Sequence, residues 1–68
     1  MQSDRLLQFF RYDHLPKPLA DASRPFCELA HEVVLKFQQN AERTVCLRKL
    51  LEAKDAAVRT VLYIDGEA

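Results

Sequence analysis

Residues 41–62 read AERTVCLRKLLEAKDAAVRTVL, and the reading of this stretch decides the fold. Leu47, Leu50, Leu51, Ala57, Val58 and Val61 recur in steps of three and four, the rhythm of one helix face. Neither glycine nor proline interrupts it. Asn40 just ahead is suited to cap the helix start, and Glu42 complements the positive end of the helix dipole. The spacing predicts a helix over 41–62, with residues 61–64 fraying or extending it. Asp65-Gly66 then ends regular structure, leaving a tail over 63–68.

Moving towards the N-terminus, Gln38, Gln39 and Asn40 form a polar break. Before it, Leu19, Ala22, Phe26, Leu29, Val33 and Phe37 trace a second three-four stripe, predicting a first helix over 17–39. Pro16 and Pro18 mark its start, where a missing N–H costs nothing. Pro25 lies inside the stripe and leaves two alternatives: a kink, or a start at Ser23, whose hydroxyl would then cap the helix. Two helices joined by so short a connection form an antiparallel hairpin. The leader over 1–16 holds Leu6, Leu7, Phe9, Phe10 and Tyr12 among Arg5, Arg11, Asp13 and His14. It has no core of its own and is expected to pack across a neighbouring subunit.

The expected architecture is therefore one all-α domain over 1–68: a helical hairpin with a short leader, closed into a homo-oligomer. A chain of 68 residues buries only about 60% of the surface it exposes when unfolded. Yet 49% of this chain is apolar. The surplus calls for partner copies. Two cysteines, Cys27 and Cys46, are too few for a disulfide scaffold. Charged Asp4 and Arg5 interrupt any signal-peptide start, and no apolar run nears the ~20 residues of a membrane span. These features fit a soluble protein of the cytoplasm. Ten basic and ten acidic residues give zero net charge, which argues against a duplex nucleic acid partner. A small anionic ligand needs only a few local charges.

Lys54 stands where the second stripe expects an apolar residue. An unpaired buried ammonium is costly, so it either lays its stem on the core with its amine in water or meets a phosphate. Arg48, Glu52, Asp55 and Arg59 follow at spacings of four, three and four, the pattern of a solvated, ion-paired face. A ligand pocket would instead use the two arginines on phosphate. Tyr12 and His14 precede a proline-stiffened turn, where the ring can stack on a base or pack at a subunit contact. Cys27 and His31 share a face at i, i+4, but no third ligand and no metal motif accompany them. No metal, cofactor or catalytic residue is expected, because a lone terminal glycine cannot build a phosphate loop and no nucleophile-base pair is identifiable.

Three segments carry a resemblance: Tyr12-Asp13-His14-Leu15-Pro16, Arg24-Pro25-Phe26-Cys27-Glu28-Leu29-Ala30, and residues 41–59 with their Leu51-Glu52-Ala53-Lys54 core. Together they resemble the small phage-encoded helical-hairpin domain of the cyclic-nucleotide sponges that counter CBASS immunity, and of the related Thoeris anti-defence sponges. The likeness spans residues 10–62. It implies a non-enzymatic homohexamer in the host cytoplasm that sequesters cyclic di- or trinucleotides between subunits. By the same resemblance Tyr12 stacks on a base, Arg24 meets phosphate from the first helix, and Lys54 is the basic residue of the second, with His14, Arg48 and Arg59 as further nucleotide-binding candidates. The short hairpin connection and the proline-rich helix start depart from the family and favour a trinucleotide site over a dinucleotide one.

Overall fold

The computed structural model describes residues 5–63 of the chain, and the expectations for residues 1–4 and 64–68 lie outside them. A 3₁₀ helix, η1 (Arg5–Phe10), precedes two α-helices, α1 (Lys17–Lys36) and α2 (Ala41–Leu62). No strand occurs among the described residues. The two α-helices pack along each other across a four-residue connection, and η1 lies against both.

Asn40 caps α2 as its sequence position demands, its side-chain oxygen accepting from the Arg43 backbone N–H at 2.8 Å. Glu42 stands in the first turn. At the other helix start, Pro16 occupies the cap position with φ −57° and ψ 154°, and the Ala20 N–H donates to its carbonyl at 2.8 Å. Pro18 sits in the first turn, where its missing donor is harmless.

Pro25 lies inside a continuous α1, so the helix does not begin at Ser23. Ser23 caps nothing: its side chain is fully buried, and its hydroxyl has no hydrogen-bond partner among the described residues. The end of α1 also differs from expectation, falling at Lys36 rather than at residue 39, because Phe37 turns extended at φ −117°, ψ 145°. Arg43 accounts for the stop. Its Nη1 donates to the carbonyl oxygens of Val34 at 3.2 Å and Phe37 at 3.0 Å, groups that a helix end leaves without intrahelical donors.

The core is small: Phe10, Ala30, Val33 and Leu47, with Leu6, Leu7, Phe26, Cys27, Val34, Leu50 and Leu51 partly buried around it. Phe10 is 0% exposed. The leader thus seats its second phenylalanine in its own hairpin, where the sequence pointed to a neighbouring subunit. The buried face of α1 keeps Phe26 and Val33 of the expected stripe but departs from it elsewhere. Ser23, Ala30 and Val33 face inward, while Leu29 and Phe37 are exposed.

Candidate functional site

The leader and α2 enclose a cleft of about 420 Å³. From the leader come Phe9, Arg11 and His14; from α2 come Lys54, Asp55 and Arg59. Spacing explains the α2 wall. Lys54 with Val58, and Asp55 with Arg59, are i, i+4 pairs, so one helix face presents a cation, an anion, an apolar patch and a second cation. The leader supplies the opposite wall because Phe10 pins η1 to the hairpin one residue before Arg11.

Lys54 lies between the two expectations, with its stem largely buried and its amine on a neighbouring carboxylate. Its side chain is 13% exposed, and its Nζ lies 3.0 Å from Asp55 Oδ1. The stem is buried while the charge remains at the cleft. On the leader wall, Arg11 lies 3.6 Å and His14 Nδ1 3.9 Å from the same carboxylate, Asp13. All three of these side chains are largely exposed, so the contacts are weak and readily exchanged for a ligand anion. Arg59 has no ion-pair partner among the described residues. Counting formal charges among the described residues, Arg11, Lys54 and Arg59 stand against Asp13 and Asp55. The mouth of the cleft therefore carries a modest positive excess on a neutral chain.

Of the six residues selected from sequence, His14, Lys54 and Arg59 converge here. Tyr12, Arg24 and Arg48 do not. The half-buried Tyr12 accepts from the Leu15 N–H at 3.1 Å through its carbonyl, closing the turn that leads to Pro16. Arg24 lies on α1, 3.9 Å from Asp21. Asp21 accepts a hydrogen bond from Lys17 Nζ at 2.9 Å, which holds its carboxyl below the usual carboxylate range, the charges of Lys17 and Arg24 adding to the effect. Arg48 is exposed on α2, away from the cleft. The sequence reading missed Phe9 and Arg11 as site residues. The available signal was the run Phe9-Phe10-Arg11-Tyr12, in which a basic residue stands among three aromatics.

Two other depressions are less suited to an anion. One, of about 500 Å³, has Ala56, Arg59, Thr60 and Tyr63 as its lining among the described residues, all from α2 and its cap, with one cation among them. The other, about 260 Å³, lies at the hairpin turn between Val33, Phe37 and Cys46, where the Arg43 guanidinium is already committed to carbonyls.

Cys27 and His31 keep the i, i+4 contact that their spacing predicts, with Sγ 3.7 Å from Nδ1. Burial pushes the Cys27 thiol up, and Glu28 and Asp13 add to the rise. His31 Nδ1 donates to the Cys27 carbonyl oxygen at 2.9 Å. Among the described residues no group of three potential metal ligands is assembled, and no helix there is long and apolar enough to cross a membrane. No family model, curated protein or solved structure matches the chain.

Proposed function

We propose that this chain is a phage anti-defence protein that binds and sequesters cyclic oligonucleotide immune signals without cleaving them. The observation that carries the reading is the convergence of His14, Lys54 and Arg59, from two separate elements, on one cleft beside an aromatic side chain. Lys54 and Arg59 on one wall and Arg11 on the other suit phosphate, His14 adds a hydrogen-bonding imidazole, and a neighbouring ring suits a base. The likeness of residues 10–62 to the cyclic-nucleotide sponges adds the ligand class, cyclic di- or trinucleotides, and the expected setting, a homohexamer in the host cytoplasm with pockets completed between subunits.

A sponge has to hold its ligand rather than transform it. Nanomolar retention requires about −12 kcal/mol, which a shallow cleft in one small subunit does not supply. Walls contributed by a second copy would exclude water from the phosphates and strengthen each charge-assisted bond. The decisive experiment is a thermal-shift screen with cyclic di- and trinucleotides, followed by chromatography of the recovered ligand. Binding by the folded state raises Tm by mass action, and the ligand should return intact. Cleaved ligand would refute the non-enzymatic reading, and no shift across the panel would remove the nucleotide.

Within that screen, Lys54→Ala should weaken binding roughly 10- to 150-fold, as expected for a lost hydrogen bond to a charged group. Native mass spectrometry should show the assembly unchanged. Unaltered affinity in an intact assembly would exclude Lys54 from the site.

A second reading has its own support in the exposure of Leu35, Phe37, Leu62 and Tyr63. Apolar groups of that size on a small surface also suit an adaptor that docks on another protein. An adaptor predicts no response to any cyclic nucleotide.

A further inference from the structure

Phe9 and Phe10 are neighbours in chain but opposite in environment: Phe10 is fully buried, and Phe9 is 53% exposed at the cleft. The 3₁₀ geometry explains this. With three residues per turn, successive side chains diverge by about 120°. Phe10 is buried with Ala30, Val33 and Leu47, which anchors η1 and sets the side from which Phe9 lines the cleft shared with Lys54 and Arg59. A half-exposed ring on an anchored backbone offers a face to a stacking partner without any movement of the leader.

Arg11 follows immediately on the same wall. Its guanidinium is restrained by an exposed contact to Asp13 at 3.6 Å, which a phosphate can displace at little cost. Gln8, also on the cleft, brings an amide with both donor and acceptor groups to the same edge. Tyr12, the ring that the resemblance would use, spends its carbonyl on the turn and does not line the cleft.

We propose that Phe9 is the base-stacking residue and Arg11 a phosphate-binding residue of this site, so that the leader, not the first helix, supplies the second wall for one nucleotide of the ligand. This rests on the nucleotide-binding reading above and adds to it the residues that recognise the base. The cleft volume of about 420 Å³ falls near the lower end of the range for small-molecule sites, and only part of a cyclic oligonucleotide fits within one subunit. A bare phosphate would leave the Phe9 ring without a partner; a nucleotide uses both the ring and the cations.

The test is calorimetric titration of the full chain with cyclic di-adenylate and cyclic tri-adenylate, using wild type, Phe9→Ala, Phe9→Tyr and Arg11→Gln. Circular dichroism confirms helix content for each. Phe9→Ala should weaken the bound ligand about 5- to 150-fold, the range for one lost base stack. Phe9→Tyr should restore affinity to near wild type, because a phenol ring still stacks. Arg11→Gln should weaken binding and flatten its dependence on salt. Wild-type binding with unchanged affinity in Phe9→Ala overturns this proposal and leaves the nucleotide reading standing. Should Phe9→Ala lose helix content, the Arg11→Gln titration decides, and unchanged affinity there overturns the proposal. Failure of the wild type to bind either probe overturns this proposal, while the wider thermal-shift panel decides the nucleotide reading.

Discussion

At the residue scale, Arg43 carries more of the architecture than its position in the sequence announces. It is 8% exposed, and its guanidinium spans two carbonyls at the end of α1 from the first turn of α2. Hydrogen bonds to a charged group are each worth about 1.5–3 kcal/mol when lost. Removing both should therefore cost more than any surface substitution. Arg43→Ala is expected to lower Tm by roughly 10 °C or more in a domain this small. Arg43→Lys should recover only part of that loss, since an ammonium cannot reproduce the planar fork. Melting curves indistinguishable from wild type would show that the α1 end is held by something else. Nothing in the hydrophobic pattern marks this arginine, because its role depends on where a second helix passes. Lys54 was legible for the opposite reason. A lone cation in an apolar stripe is a local anomaly, and it needed no knowledge of tertiary contacts to be noticed.

At the element scale, α2 was readable to its bounds because every signal for it is local: a capping Asn40, an acid in the first turn, and no breaker before Leu62. The first helix was less legible. Its buried face passes through Ser23 and Ala30, small residues that a search for large apolar side chains overlooks. Ala30 shares the core with Phe10 and Leu47, and a small side chain there leaves room for the phenylalanine brought in by the leader. That requirement comes from η1, and the α1 pattern does not contain it. Pro25 is the other informative point. It is exposed and interior to α1, a position where proline removes one helix hydrogen bond and costs about 3 kcal/mol. Its stiffening of the unfolded chain returns only ~0.4–1 kcal/mol. The lost hydrogen bond outweighs that gain, so Pro25→Ala should stabilise the chain by about 2 kcal/mol and raise both Tm and helical ellipticity. A fall in Tm would mean that the ring itself makes a contact that the helix needs.

At the scale of the whole molecule, the apolar surface and the small core point to the same conclusion. Four apolar side chains form the buried core among the described residues. Outside it, Leu35 is 83%, Leu62 62% and Phe37 58% exposed. These residues lie near both ends of the hairpin, so a single docking event at one end would not cover them all. A closed ring of copies would cover such separated patches by giving each subunit two different neighbours. Stability of this kind depends on concentration, because dilution releases the subunit that a neighbour was holding. Tm should therefore rise as protein concentration is increased a hundredfold, and sedimentation at micromolar concentration should give a species several times the 7.9 kDa chain mass. The two measurements separate the alternatives. A monomer whose Tm ignores dilution would have to be stable on four core side chains with its large apolar groups in water. In that case the inter-subunit pockets of the sponge reading could not form, and any nucleotide bound would sit in the open leader cleft alone. An oligomer whose Tm tracks concentration supplies the assembly that the sponge reading requires.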